Sequence, residues 1–307
     1  MPKIKKKVDK KINPCIYIYC EGSETERNYL SGYLSDKYKG NTLIQFVKIP
    51  KIKQNTPKSI IERIISDKIN DDHLTNDIHW AVYDRESVAK IKDEDHLEAL
   101  LLAKTNHIRV VLTNVCIEQW FIYHFVYSKA AYTSCTNLLK DSPLKAELKI
   151  VGLQHYDKAE PELYDYLKSG VTKARLNAYN INKEVIADSA GGIGADQPYK
   201  LNPYTNFYEL LDEIDLFLMS ESFKKDFNNL KDLLLFFRKE DITQVNTSES
   251  RQKVAWENFR SQYEIYLHPK SQFASHWRDI ATTLLGDEGI MLENDIDSFY
   301  YANIKYK

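Results

Sequence analysis

Apolar residues in the first 128 positions follow two alternating spacings. Short runs rich in β-branched and aromatic residues are typical of buried strands. Four such runs occur, at residues 15–20, 42–49, 77–84 and 107–114. Between these runs the apolar residues recur every three or four positions, as a helix face requires, for example in the isoleucine-rich stretch 56–70. Strands and helices that alternate in this way predict βαβ units and a parallel sheet.

Beyond about residue 128 the strand signal fades. Helical spacing predicts helices over residues 156–185, 205–223, 231–239 and 250–267. The Gly- and Pro-rich stretch 188–203 separates the first two and is predicted to be a linker. The predicted fold class is therefore α/β, with an α/β domain over residues 1–128 and a mainly helical region over residues 129–307.

Composition narrows the class of protein. Of the 307 residues, 43% are hydrophobic and 28% are charged, which is typical of a folded globular protein. The net charge of −2 gives no general basic field, so nucleic-acid binding would depend on local patches. No apolar stretch approaches the roughly 20 residues of a membrane span, and no apolar secretory segment follows the start. We therefore expect a soluble, cytoplasmic protein.

The four cysteines, at positions 15, 20, 116 and 135, show no CxxC spacing. Three of them lie in or beside apolar runs. This usage is typical of reduced, buried thiols in a cytosolic protein, and free thiols are the expectation here.

Carboxylates follow three of the four predicted strands. Glu21 ends the first, Asp84 and Glu86 follow the third, and Glu118 follows the fourth. In parallel α/β sheets the carboxyl ends of the strands meet at one edge, where ligands bind. Carboxylates gathered there repel one another unless a cation neutralises them. Oxygen ligands without histidine or cysteine favour Mg²⁺ or Mn²⁺ over zinc.

Each acid also has a simpler interpretation. A single Asp or Glu after a strand is commonly a turn former or a helix cap. Glu24 and Glu26 stand in the first turn of a predicted helix, where carboxylates complement its dipole. Spacing alone leaves the metal site and these local roles both open.

Four stretches resemble a known family. In order they are CEGSETERNYL, VYDRES, TNVCIEQWFIYHF and LNPYTNFYELLDEI, and together they cover residues 15 to about 215. They resemble the sequence blocks of the RloB-like family, whose strand, Glu-Gly, helix and Asp-x-Asp/Glu strand end are those of a Toprim domain. The resemblance implies a Toprim-like fold, metal-dependent phosphodiester hydrolysis, and a role in bacterial antiphage defence or abortive infection beside an AAA or SMC-like ATPase.

The resemblance also assigns site residues. Glu21 corresponds to the general acid/base glutamate of Toprim enzymes, which also shares the metal. Asp84 and Glu86 correspond to the Asp-x-Asp/Glu ligands of Mg²⁺ or Mn²⁺. Glu26 falls in the Thr-Glu of the first block and is expected to be a second acid of the site. Glu118 is expected to be a further ligand or an orienting residue.

The sequence departs from the third block close to this acid. Val115 replaces a proline, Ile117 replaces a phenylalanine, and Gln119 replaces an apolar residue. These changes affect the packing around the helix start and hence the pose of Glu118.

Other residues are candidates on chemical grounds. Arg85 stands between two predicted ligands, where its guanidinium would pair with phosphate, or else with a neighbouring acid. Gly22 is expected to let a substrate approach the backbone. His124 is a secondary candidate, since a histidine among apolar neighbours is more often a core residue.

A basic and aromatic groove for nucleic acid is a further prediction. It would consist of Lys158, Lys173 and Arg175 with Tyr156 and Tyr164 interleaved. The alternative is that these charges form the solvated face of helices.

Three function classes remain. The favoured class is a nuclease effector that cleaves RNA, for which related two-component defence systems suggest transfer RNA, with DNA as the other substrate. The alternative is a catalytically quiet regulatory or docking subunit that keeps the fold. A nucleotide-binding switch is disfavoured because the glycines of residues 189–196 fit no phosphate-binding pattern.

Overall fold

The structure is a computed structural model that describes residues 14–22, 24–70, 73–215 and 217–218. Described residues up to Asp212 belong to one compact unit. The helices predicted over residues 231–239 and 250–267 lie outside the described residues. The predicted domain boundary at residue 128 stays a prediction.

A five-stranded sheet forms the centre of this unit. Its strands are β1 (Ile16–Cys20), β2 (Val47–Lys48), β3 (Ile78–Asp84), β4 (Arg109–Asn114) and β5 (Tyr204–Thr205). The spatial order is β2-β1-β3-β4-β5, and every neighbouring pair is parallel except β4 with β5. The predicted α/β class is confirmed, with a mostly parallel sheet.

Helices connect and flank these strands. They are α1 (Thr25–Lys37), α2 (Pro57–Asn70), α3 (Asp93–Thr105), α4 (Glu118–Phe125), α5 (Cys135–Asp141), α6 (Leu144–Ile150), α7 (Leu163–Leu167) and α8 (Val171–Asp188). A ninth helix, α9, begins at residue 207. The described part beyond residue 128 is mainly helical, as predicted. None of the helices that the structure describes has the length and apolar character needed to cross a membrane.

Three local predictions were wrong. Most of the strand predicted over 42–49 is a 3-10 helix, Thr42–Phe46, because the Asn41 side chain accepts a hydrogen bond from the Leu43 N–H and caps it. Residues 156–162 are a loop, which contains Pro161. Thr205 belongs to an antiparallel strand beside Thr113 of β4, and the Asn182 side chain binds both the N–H and the carbonyl of Thr205.

One face of the sheet packs against α2 and α3. Tyr19 of β1 and Tyr83 of β3 lie in this core with Ile60 of α2 and Ala99 of α3, and all four are buried. The helix spacing of the isoleucines and the period of two in the strands together create this contact.

The opposite face packs against aromatic residues of α1 and α4. The ring of Tyr29 in α1 lies 5.6 Å from the Phe121 ring and 6.3 Å from the Trp120 ring, and 5.5 Å from that of Phe207 in α9. Aromatic pairs of this kind contribute about 0.5–1.5 kcal/mol each beyond the area that they bury. Since side chains alternate along a strand, Asp84 points to this face, beyond Val82.

The expectation of four free thiols was wrong for one pair. Cys116, which precedes α4, and Cys135, the first residue of α5, form a disulfide with a Cα–Cα distance of 5.6 Å. Their separation of 19 residues gave no pairing signal, because the fold alone brings α5 beside the start of α4. Cys15 and Cys20 are free.

We predict that Gly170→Ala destabilises the fold. Gly170 caps α8, and a Cβ there would lie 2.5 Å from the main-chain oxygen of His124 in α4. That oxygen cannot rotate away, so we expect a loss of about 1–3 kcal/mol in the free energy of unfolding, measured by urea denaturation. The matched control is Gly194→Ala, whose nearest contact is the flexible Asp196 carboxylate, with an expected change within about 0.5 kcal/mol. Equal stability of the two variants would contradict this packing.

Candidate acidic site at the carboxyl edge of the sheet

Glu21 and Asp84 meet where β1 and β3 end. The Glu21 N–H donates to the Val82 carbonyl at 2.8 Å, which extends the β1–β3 pairing by one residue. The Glu21 carboxylate in turn accepts a hydrogen bond from the Asp84 N–H, with an N···Oε2 distance of 3.0 Å. The parallel register therefore fixes these two predicted site residues beside each other.

The turn after β3 places Glu86 at the rim. The Arg85 N–H donates to the Thr113 carbonyl, and the Glu86 N–H donates to the Val115 carbonyl at 2.9 Å. Glu86 has φ +57°, a left-handed conformation that costs a residue with a side chain about 1–2 kcal/mol. Its carboxylate forms an ion pair with Lys90 at 2.5 Å. Strained backbone of this kind is concentrated at functional sites.

Glu26 occupies the space that Gly22 leaves. A Cβ at position 22 would overlap the Glu26 Oε2 atom, so the glycine makes room for this carboxylate. The expected approach of a substrate to this backbone stays a prediction. Glu26 is 4% exposed, and its Oε2 has no partner of good hydrogen-bond geometry among the described residues, although the N–H groups of Glu26 and Gly22 act to lower its pKa. A buried carboxylate oxygen without a donor is costly, which makes it a candidate ligand for a cation.

Glu118 begins α4 and is fully buried. Tyr156 Oη donates to its Oε1 at 3.0 Å, and Lys158 Nζ lies 3.3 Å from the same oxygen. The loop that carries these two residues is tied to α1, because Thr25 Oγ1 donates to the Lys158 carbonyl at 2.6 Å. This loop therefore links α1 to the first residue of α4.

Burial and the acids at this edge raise the pKa values of Glu21, Asp84 and Glu26. Burial, together with the charges of Glu26 and Glu86, raises the pKa of Glu21 to about 7. Burial raises the pKa of Asp84 well above its ordinary value, and Glu26, Glu21 and Glu118 add to this effect. Burial and the charge of Glu118 raise the pKa of Glu26. Buried like charges at one site produce such shifts.

Lys158 supplies positive charge within this group. Burial alone would lower the pKa of its ammonium, but the charges of Glu118, Asp84 and Glu26 raise it above its ordinary value. The side chain is half-exposed, so one side faces solvent while Nζ faces the acids. Sequence reasoning named Tyr156 and Lys158 only as part of a groove, since nothing in a loop far along the chain indicates a contact with a strand end.

Arg85 lies away from the acids. Its guanidinium donates to the carbonyls of Tyr199 and Ile91 at 2.9 Å and pairs with Asp93 at 2.5 Å. Arg85 therefore forms the ion pair with a neighbouring acid that was the alternative to phosphate binding. A β3 side chain one position past Asp84 points to the opposite face, which explains this placement.

His124 and the predicted groove also have structural roles. Burial lowers the pKa of His124 to about 3, and its Nε2 lies 2.9 Å from Tyr29 Oη. Arg175 is buried with an ion pair to Asp212 at 2.9 Å, and Tyr164 is buried against α1. The five groove residues therefore do not form one surface.

The acids match a hard divalent cation in ligand type. Glu21, Glu26, Asp84 and Glu118 all offer carboxylate oxygens, and the pKa values of the first three are raised. Among the described residues, no three of these carboxylates have oxygen atoms that all lie within 4.8 Å of one another, so they would have to draw together around an ion. Mg²⁺ and Mn²⁺ prefer such ligands. Glu86 stands at the rim and would complete this set.

Comparison with known proteins gives one result. A family model described as RloB-like protein matches residues 16–214. The chain belongs to the RloB-like family. No curated protein and no solved structure matches significantly. The RloB-like match spans β1 to α9 and so includes every acid described above, which confirms the resemblance of the four sequence blocks.

We predict that the pH dependence of stability reports Glu21. Its pKa is raised in the folded state, so its contribution favours folding below the ordinary value of about 4.5 and is lost as the pH rises through about 7. In chelator, the free energy of unfolding should fall across this window, by up to about 1.4 kcal/mol per pH unit for one proton. Urea denaturation at a series of pH values measures it.

Glu21→Gln should make that decrease smaller, because an amide does not titrate yet still accepts the Asp84 N–H, while Asp84 and Glu26 continue to titrate. Glu62→Gln, on the exposed face of α2, is the matched control. The same slope in wild type and Glu21→Gln would show that Glu21 is not the group that titrates.

Proposed function

We propose that this chain is a metal-dependent phosphodiesterase of Toprim type, a nuclease effector in bacterial antiphage defence. Membership of the RloB-like family supports the defence role and the Toprim assignment. The partner would be an AAA or SMC-like ATPase that senses infection, and the place of action the cytoplasm. RNA, such as transfer RNA, is the favoured substrate over DNA.

One observation carries the chemical part of the proposal. Carboxylates from β1, α1, β3 and α4 converge at the carboxyl edge of the sheet, and Glu21 and Asp84 are joined there by a hydrogen bond. Burying these acids together is unfavourable on its own, so the fold retains an arrangement that a divalent cation would stabilise. Three of them have raised pKa values, a pattern concentrated at catalytic sites.

Each residue then has a definite task. Asp84, Glu86 and Glu118 would hold Mg²⁺ or Mn²⁺, with Glu21 sharing it and Glu26 as a second acid. The bound ion would neutralise phosphate charge and lower the pKa of water. Without the ion, burial raises the pKa of Glu21 to about 7, and from this position Glu21 would act as a general acid or base. Tyr156 orients Glu118, and the half-exposed Lys158 would attract a phosphate.

A second candidate is a catalytically quiet regulatory or docking subunit. Lys158 favours it, because its ammonium already lies 3.3 Å from Glu118 and is influenced by Asp84 and Glu26. A lysine in this position neutralises part of the acid cluster without any metal. The acids would then be structural, and replacing them would change stability and not cleavage.

We predict that Asp84→Asn, Glu21→Gln and Glu86→Gln each lower cleavage by at least about 100-fold, the scale of a lost acid–base or charge-stabilising group. The protein is expressed with its genomic neighbour, cells are infected with phage, and total RNA and DNA are sequenced for new ends. Ends confined to a few RNAs in wild type are the expected result, and chelation should stop cleavage by the purified protein.

Glu62→Gln should cleave like wild type, and circular dichroism checks that each variant is folded. Protection from phage with intact RNA and DNA would favour the quiet subunit. Wild-type cleavage in all three acid variants would refute the site.

A further inference from the structure

A second group of ligands lies behind the acid cluster. Cys116 is fully buried, Glu118 is fully buried, and Cys135 is half-buried at the start of α5. Their nearest ligand atoms, two Sγ and one carboxylate oxygen, all lie within 4.8 Å of one another. No described histidine belongs to this group, and the phosphodiesterase chemistry above does not use the sulfur atoms.

The two oxygens of Glu118 face different neighbours. Oε1 receives the Tyr156 hydroxyl and lies near Lys158, whereas Oε2 lies 3.4 Å from Cys135 Sγ. In the disulfide this sulfur has no proton to donate, so Oε2 and Sγ are adjacent without a hydrogen bond. Lys158 Nζ, 3.3 Å from this sulfur, is the cation beside the pair, and a metal ion between Oε2 and Sγ would add a second positive charge there.

We propose that reduction of the Cys116–Cys135 disulfide creates a binding site for a soft divalent cation, Zn²⁺, with both thiolates and Glu118 as ligands and a fourth position open. Ligands on one tetrahedral zinc ion stand about 3–4 Å apart, given Zn–S bonds of about 2.3 Å and Zn–O bonds of about 2.0–2.2 Å. The three atoms lie within 4.8 Å of one another, and once the S–S bond is broken, rotation of the cysteine side chains would separate the two sulfur atoms to this spacing.

Charge supports this ligand set. A complex of Zn²⁺ with two thiolates and one carboxylate has a net charge of −1. The Lys158 ammonium lies 3.3 Å from Cys135 Sγ and 3.3 Å from Glu118 Oε1, where it would balance that charge as an outer partner. Nearly complete burial of Cys116 and Glu118 would keep competing water away.

The chemistry balances with a dithiol as the reductant. The dithiol gives two electrons and two protons to the disulfide, which becomes two thiols, while the dithiol closes to its own disulfide. Zn²⁺ then binds as the two thiols release two protons. Glu118 also belongs to the acid cluster. Zinc bound to Glu118 and the two reduced cysteines would therefore remove Glu118 from the ligands available to Mg²⁺ or Mn²⁺ at the sheet edge.

Co²⁺ is the probe, because a thiolate–Co²⁺ complex gives a charge-transfer absorption that carboxylates do not give. The full chain is reduced with dithiothreitol, freed of reductant without oxygen, and titrated with Co²⁺. We expect one equivalent to produce the absorption, Zn²⁺ to abolish it, and excess Mg²⁺ to leave it unchanged. The number of free thiols per chain, counted before and after reduction, should rise by two.

The oxidised wild type is the first control, since it has the same sequence and should give no absorption. Cys116→Ser and Cys135→Ser should each lose it, whereas Cys20→Ser, which removes a free buried thiol, should retain it. Absorption that is absent in the reduced wild type, or unchanged in both Cys116→Ser and Cys135→Ser, would overturn the proposal. This readout needs no nuclease activity, so it stands or fails separately from the proposed function.

Discussion

The architecture of the candidate site depends on one constraint, the repulsion between several carboxylates at the carboxyl edge of the sheet. Glu26 and Glu118 are buried, Asp84 points to the same face, and the charge of Glu118 contributes to the raised pKa values of Glu26 and Asp84. Proteins resolve such repulsion by protonation, by a paired cation or by a metal. Here a lysine contributes part of the balance, and one Glu26 oxygen has no hydrogen-bond partner among the described residues. This incomplete neutralisation is the basis of the proposed metal site.

The sheet brings the acids together through register. Cys20 pairs with Val82, so the next residue on β1 meets the end of β3, and the Asp84 N–H reaches the Glu21 carboxylate. Glu118 arrives from the turn after β4, while the loop at Lys158 is fastened to α1. Backbone pairing therefore sets the positions of the acids, and the aromatic layer around Tyr29 holds α1 and α4 against the strands.

The spacing of apolar residues was enough to predict β1, β3 and β4 and the periodic helices. The positions of the strand ends were enough to predict that Glu21 and Asp84 lie beside each other. Local spacing failed where long-range contacts decide. Arg85 follows Asp84 directly, but its side chain points to the other face of the sheet. Tyr156 contacts Glu118 although 38 positions separate the two residues in the sequence. Lys158 lies in the same distant loop. The Cys116–Cys135 pair is another such case, because only the packing of α5 beside α4 joins these residues.

The most direct test of the account is whether the acid cluster binds a hard cation. Mn²⁺ is titrated calorimetrically into wild type and Asp84→Asn near neutral pH, in two buffers that differ in ionisation enthalpy. The account predicts saturable binding to wild type with release of protons, because carboxyls whose pKa values are raised must ionise to become ligands. Asp84→Asn should bind far more weakly. Wild type that binds no Mn²⁺, or Asp84→Asn that binds it equally well, would contradict the metal site.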